Sequence, residues 1–350
     1  MPLKSFVTAK ENVAKLKALR PLPPRLIGAP LRVLPRSIRY SLIGTAFDYL
    51  LRFEIKRRAG HAKSQPWAAA ISLERLFRKV QQPDGSFRSL IPDELLAPFI
   101  PLVAEDSIDD LGDSVSLGCF FQMDAQGKAT TIEVSIPITR GPSTSFHSSL
   151  DIAFRVGRRA FMIIEESRKR LAQYAEQKEV SRKDKEEMAK CSILLARIDL
   201  ILRASILDPT MLLPPEPDDV SDLINLLEIV PFDTLLNQEC LILNPSFGKS
   251  SGAIGGADTD LISGETLIDF KTTKQNSISV QSLDQLLGYY FLARNERLID
   301  PNFPEITHLG LYFTRHGFLW KRPVSLWLEN PKFAEVEMWF RTAARLNQTK

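Results

Sequence analysis

The chain has 350 residues, 44% of them hydrophobic and 25% charged, with a formal net charge of +3, which is an ordinary globular composition with ample material for a core. Its three cysteines, Cys119, Cys191 and Cys240, are odd in number and far apart, which argues against a disulfide scaffold and fits a reducing compartment, so a cytoplasmic location is expected. The longest notable apolar stretch, Leu95 to Ala104, is broken by Pro98 and Pro101 and is too short to span a membrane, so no membrane role is expected.

Charge is segregated along the chain. Residues 1–60 carry thirteen Lys or Arg against three acids, Glu11, Asp48 and Glu54, whereas residues 89–125 carry eight acids and no base. Residues 1–35 read as a basic helix followed by a proline-rich connector, PLPPRLIGAPLRVLP, and Ser37–Arg58 reads as a strong helix containing GTAFDYLLR. A helix is predicted over Trp67–Lys79, then a proline-punctuated acidic region, then strands over Ser114–Met123 and Ala129–Thr139 joined at Ala125-Gln126-Gly127. Long helical patterns cover Leu150–Tyr174 and Lys183–Ser205, the second entered through Ser181 as N-cap. Prolines 209, 214, 215 and 217 mark a linker, followed by one helical stretch over Leu223–Leu236 and a strand over Cys240–Asn244. After a helix around Gln285, strands are predicted over His308–Thr314 and Phe318–Pro323, and a last helix over Phe333–Arg345.

The chemistry concentrates between Gly255 and Tyr290. Alternation puts Leu267, Asp269 and Lys271 on one face of a strand and Ile268 and Phe270 on the other, while Asp258, Asp260 and Ile262 share a face of the strand before it. Gly264-Glu265 suits a two-residue hairpin loop, which sets Asp260 opposite Asp269 and Asp258 opposite Lys271. Like charges directly opposite each other destabilise a sheet. Paired carboxylates there make sense with a divalent cation between them, because Mg²⁺ takes hard oxygen ligands and often only one or two carboxylates. A lysine beside such a site can hold a water or a phosphate oxygen, and the combination suggests phosphodiester hydrolysis.

This pattern resembles the PD-(D/E)XK nuclease superfamily, in particular its RecB-like branch. The residues that carry the resemblance are Asp260, then Asp269-Phe270-Lys271, then Gln285 and Tyr289 as Q-x-x-x-Y on the following helix. GTAFDYLLR resembles the early-helix Gly-Thr-Ala-x-His-like motif of that branch, with Asp48 where a histidine is expected. No proline precedes Asp258 or Asp260, so the choice between them stays open and Asp258 is the reserve ligand. The resemblance implies an α/β, restriction-endonuclease-like core: a central mixed sheet flanked by helices, with a helical insertion and a basic N-terminal arm. Residues 1–36 would be the arm and connector and 37–350 the nuclease-like domain, with 61–220 inserted and 221–350 as the catalytic core. It further implies Mg²⁺ or Mn²⁺ as cofactor, held by Asp260 and Asp269 with the Phe270 carbonyl, and with Asp48 as a further candidate ligand. Lys271, Gln285 and Tyr289 would complete the catalytic set, acting on DNA in repair, recombination or defence against foreign DNA, with a protein partner in a larger complex.

Two readings from other classes stand beside this one: an inactive nucleic-acid-binding or scaffold subunit with the same fold, and a nuclease acting on RNA. Other motifs fail. FGKS at Phe247–Ser250 lacks the first glycine of a P-loop, since residue 243 is Leu, and the Gly252–Gly256 run leads to a strand where a dinucleotide loop would need a helix. Three cysteines cannot supply the four-cysteine iron–sulfur site of some RecB-like nucleases, and His61, His147, His308 and His316 show no zinc-ligand spacing.

Overall fold

A computed structural model describes residues 3–20, 28–64, 67–77, 79–85, 87–103, 114–123, 129–137, 149–236 and 238–346. The first part of the proline-rich connector, the stretch 104–113 and the Ala125-Gln126-Gly127 joint lie outside the described residues. In chain order, helices α1 (Leu3–Thr8) and α2 (Lys10–Leu16) precede the long α3 (Tyr40–Arg58), strand β1 (Lys63–Ser64) and α4 (Ala68–Phe77). Two small hairpins follow, β2 (Lys79–Gln81) with β3 (Phe87–Ser89) and β4 (Ser114–Met123) with β5 (Ala129–Pro137); the short helices α5 (Asp93–Leu96) and α6 (Ile100–Val103) lie between them. Helices α7 (Ser149–Glu176), α8 (Arg182–Arg203), α9 (Pro217–Glu228) and α10 (Phe232–Leu236) then lead to β6 (Leu241–Leu243). The remaining elements are α11 (Gly248–Ala253), β7 (Leu261–Ser263), β8 (Thr266–Lys271), α12 (Val280–Ile299), β9 (His308–Phe313), β10 (Phe318–Pro323), α13 (Ser325–Leu328) and α14 (Phe333–Ala343).

Among the described residues, β1, β6, β7, β8, β9 and β10 form one mixed sheet in that order. The β1–β6 and β8–β9 pairs are parallel and the others antiparallel. Period-2 alternation sorts the strand residues onto two apolar cores. Leu241, Leu243, Leu261, Ile268, Phe270 and Tyr312 face a core built with α3, α4, α7, α8 and α9. Ile262, Leu267, Leu309, Leu311 and Phe313 face a second core built with α1, α12 and α14. Helices therefore flank the sheet on both sides, the protein is an α/β structure, and residues from 61–220 share the first core with α3.

Local chemistry explains most element boundaries. Ser181 caps α8 in a reciprocal capping box, its Oγ accepting from Asp184 N while Asp184 Oδ2 accepts from Ser181 N. Ser279 caps α12 by accepting from Ser282 N. The single helix expected over Leu223–Leu236 is instead two, because Pro231 has no N–H to donate and holds Val230 away from helical geometry. The expected proline linker does join α8 to α9, with one short turn inside it. Pro209–Leu212 forms a 3₁₀ turn whose Thr210 carbonyl, with that of Leu213, accepts from Arg197, and Pro217 occupies the first position of α9, where its missing N–H costs nothing.

The basic N-terminal segment is docked. Leu3, Phe6, Val7, Leu16 and Leu19 belong to the second core, and Gly288 on α12 lets α1 approach, since a Cβ there would lie 2.9 Å from Leu3 Cδ1. Arg20 makes a bidentate ion pair with Asp284 on α12, at 2.7 and 2.6 Å, leaving Lys4, Lys10, Lys15 and Lys17 as the exposed cations of the segment.

Across the molecule, Arg315 after β9 and Asp222 on α9 form a fully buried bidentate pair at 2.8 Å. Removing one member of such a pair strands the other charge. Asp222→Ala is therefore expected to lower stability by about 3–5 kcal/mol in denaturant unfolding, while a double replacement by matched apolar residues is expected to be near neutral.

Candidate active site

The β7–β8 hairpin has the register that its turn predicts: Leu261 pairs with Ile268, Ile262 with Leu267 and Ser263 with Thr266. Gly264 stands at φ +58°, a conformation that glycine adopts without penalty at the first loop position. The ladder ends at Leu261. Beyond it a side chain takes over the next donor, and Asp260 Oδ2 accepts from Phe270 N at 2.5 Å. In a strand the N–H and C=O of one residue point the same way, so the Phe270 carbonyl also faces Asp260.

The main chain before Asp260 turns toward the segment after β6: Asn244 N donates to Asp260 O, Thr259 N donates to Pro245 O, and Asp258 bridges to Ser246. This corrects the expectation that Asp258 faces Lys271. Asp258 instead pairs with Arg203 of α8 at 3.1 Å, because the strand has already diverged by two residues.

Asp269 is buried and stands beside Asp260 at the end of β8. Burial, and then the Asp269 charge, push the Asp260 carboxyl up to about 7. Lys271 is in ion contact with Asp269 Oδ2, although that oxygen receives no well-aligned hydrogen bond. Lys271 Nζ also donates to Gln285 Oε1 at 2.9 Å, and Gln285 Nε2 donates to the Tyr289 hydroxyl at 2.9 Å. A lysine can only donate, which fixes the orientation of the Gln285 amide. Burial opposes the Lys271 charge, but Asp269, Asp260 and Asp48 outweigh it and keep the ammonium protonated. Tyr289 is buried against Phe247, with ring centroids 5.7 Å apart, and its hydroxyl is held well above its ordinary pKa by burial and by Asp269, Asp258 and Asp260.

Helix α3 crosses this end of the sheet, its Gly44 lying against Thr272, which directly follows Lys271. One turn later Asp48 faces the same carboxylates. Burial first, then the charge of Asp260, raises its carboxyl well above the usual range, while its side chain stays partly open to solvent. The structure thus brings Asp48, Asp260, Asp269, Lys271, Gln285 and Tyr289 together, and turns Asp258 toward α8.

Four neighbours escaped the sequence analysis. Arg203 Nε donates to both carboxylate oxygens of Asp199 at 3.0 Å, and its charge is secured, against burial, by Asp258 and Asp199. Tyr49 donates to Asp199 and accepts from Ala69 N at the start of α4. Arg52 is buried over the Tyr49 ring, 5.2 Å from its centroid, and its charge partly offsets the rise of the Asp48 and Asp260 carboxyls. The available signal was spacing: Asp48 and Arg52, and Asp199 and Arg203, are i,i+4 pairs on apolar helices.

Among the described residues no three His, Cys, Asp or Glu side chains converge as a ready-made metal cage. The oxygen set is compatible with a hard cation in a sparser way. The Asp260 and Asp269 carboxylates stand side by side, and the Phe270 carbonyl faces the same space. Comparisons with protein-family models, curated proteins and solved structures give no match. Among the described residues, no helix is long and apolar enough to cross a membrane.

The raised Asp260 carboxyl makes a stability prediction. Asp260 keeps its proton in the folded state up to about pH 7, whereas the unfolded chain loses it near the ordinary value of 3.8. Its contribution is therefore full below about pH 4 and is lost as pH rises through about 7. In EDTA, Asp260→Asn is expected to gain a few degrees in Tm over the wild type as pH rises from 4.5 to 8. A gap independent of pH would refute this.

Proposed function

We propose that the chain is a divalent-metal-dependent nuclease that hydrolyses phosphodiester bonds of DNA, built on a restriction-endonuclease-like core of the PD-(D/E)XK, RecB-like type. One observation carries this reading: the hairpin and α12 join Asp260, Asp269, Lys271 and Gln285 in one connected polar cluster that opens to solvent. A buried ion pair and a second carboxylate contribute poorly to stability, so the arrangement is better explained by chemistry than by folding.

Asp260 and Asp269, with the Phe270 carbonyl, would hold Mg²⁺ or Mn²⁺, and Asp48 lies alongside as a further acceptor. A cation bound there supplies Lewis acidity toward a phosphoryl oxygen and acidifies bound water. Lys271, kept protonated by its carboxylate neighbours, cannot serve as the base; it orients the attacking water and meets negative charge that develops on the phosphate. Gln285 holds the Lys271 ammonium in place and is itself held by Tyr289, so the Q-x-x-x-Y pair orients the lysine. Arg52 adds a second fixed positive charge beside the carboxylates.

The decisive experiment incubates purified protein with linear, circular and single-stranded DNA and with RNA, in Mg²⁺ or in EDTA. Metal-dependent cleavage of DNA is expected. Asp269→Asn should abolish it with the fold intact. Asp260→Ala should do the same, whereas Asp258→Ala should retain a measurable part, because Asp258 is engaged by Arg203. Full activity in a folded Asp269→Asn protein would sink the assigned site.

The docked basic segment gives a separate test. Neutralising Lys4, Lys10, Lys15 and Lys17 together, and leaving Arg20 to its structural pair with Asp284, should flatten the dependence of DNA affinity on salt. Each lost phosphate contact lowers the slope of log K against log salt by about 0.9 on duplex DNA. An unchanged slope would remove these lysines from the DNA-binding surface.

A further inference from the structure

Just before α3 the chain forms a strap over residues 28–39 that is anchored from within. Arg32 N and Val33 N both donate to Arg315 O, Ala29 O contacts His316 Nδ1, and Arg39 pairs with Asp219 at 2.7 Å. Val33 and Ser37 are buried beneath it. The outward residues are unusual for an anchored segment: Leu34 is 73% exposed, Ile38 88% and Tyr40 46%. Arg32 and Arg36 are interleaved with them, both exposed and without an ion-pair partner among the described residues.

This strip leads into the active site. The Lys274 ammonium lies 5.8 Å from the centroid of the Tyr40 ring, three residues beyond Lys271. Tyr40, Gly44 and Asp48 are four apart and share one face of α3; the first meets Lys274, the second Thr272 and the third the site carboxylates. Exposed apolar and aromatic side chains, two cations without ion-pair partners among the described residues and the proposed chemistry therefore follow one another along the chain from Arg32 to Asp48.

We propose that this line is the landing surface for a single strand of DNA, whose bases stack on Tyr40 and rest against Ile38 and Leu34 while Arg32, Arg36 and Lys274 meet its phosphates. Duplex DNA shows its backbone outward and keeps its base faces stacked inside, so it would leave Ile38 and Leu34 against charged phosphate. An unpaired strand offers base faces to the apolar side chains and phosphates to the cations together, the combination that single-strand grooves use. The inference rests on the nuclease reading and specifies the form of its substrate at the mouth of the site.

The test measures fluorescence anisotropy of a labelled 20-nucleotide single strand, and of the matching duplex, on the full-length protein in EDTA. The single strand should bind more tightly than the duplex. Tyr40→Ala and Ile38→Ser should each weaken single-strand binding by roughly tenfold and duplex binding much less, whereas Tyr40→Phe, which keeps the ring, should bind as wild type. Lys274→Gln should lower the single-strand salt slope by about 0.7. A 2-aminopurine base placed in the strand should be quenched by wild type and by Tyr40→Phe, and less so by Tyr40→Ala.

Both substituted side chains are solvent-exposed, and an unchanged circular dichroism melt confirms the fold. Single-strand affinity unaffected by Tyr40→Ala and Ile38→Ser overturns the proposal, as does a preference for duplex, or a strip that instead drives self-association. If those variants also cleave as wild type, the nuclease reading survives and only the landing surface falls. Wild-type protein that neither binds nor cleaves any nucleic acid ends both.

Discussion

The site depends on one hydrogen bond, from Phe270 N to Asp260 Oδ2. An antiparallel hairpin normally satisfies its donors by main-chain partners until the strands part. Here the β7 main chain leaves one residue early, and a carboxylate side chain takes the place of the missing carbonyl. Two consequences follow. Asp260 is locked beside Asp269 without a ladder to hold it, and the Phe270 carbonyl is left facing the same space. Burial, and then repulsion from Asp269, appears as the raised Asp260 carboxyl.

Electrostatic balance around that pair explains the neighbours. Asp48, Asp260 and Asp269 repel one another where burial already disfavours their charge. Lys271 meets them from the sheet, Arg52 from α3, and Arg203 reaches in from α8 through Asp258. Arg203 also ties Asp258 to Asp199 and, through Tyr49, to the start of α4, so the approach to β7 is braced by helices from the central part of the chain. Those helices are therefore more than an appendage to the hairpin: they set where its first strand departs from the ladder.

Much of this was legible in the sequence where one local rule decides the outcome. Gly264-Glu265 and period-2 alternation determine the register of β7 and β8 and the faces of Leu267, Ile268 and Phe270. Phe318–Pro323 and Ser114–Met123 are strands over their predicted spans, and Ser181 caps α8 as its side chain suggests. Asp48, Asp260, Asp269, Lys271, Gln285 and Tyr289 lie near one another in the fold. What failed was set by distant partners. Asp258 turns away from Lys271 because Ser246 and Arg203 draw it elsewhere. The i,i+4 spacings of α3 and α8 read as surface charge, and only packing buries Arg52 and Asp199. Within the proline linker near 209–217, the bonds from Arg197 to the Thr210 and Leu213 carbonyls appear only in the fold.

The position of the site has a consequence for how it forms. Lys271 and Gln285 belong to the side of the sheet where α1, α12 and α14 pack, whereas Asp48, Arg52 and Arg203 arrive from helices of the opposite core. The carboxylate pair lies at the end of the strands where those two layers meet. Neither layer alone presents the complete charge set: the hairpin and α12 supply Asp260, Asp269, Lys271 and Gln285, whereas Asp48 and Arg52 come from α3. The buried Arg315–Asp222 pair, which joins the turn after β9 to α9, is one of the contacts that tie the sheet to the helices of the first core.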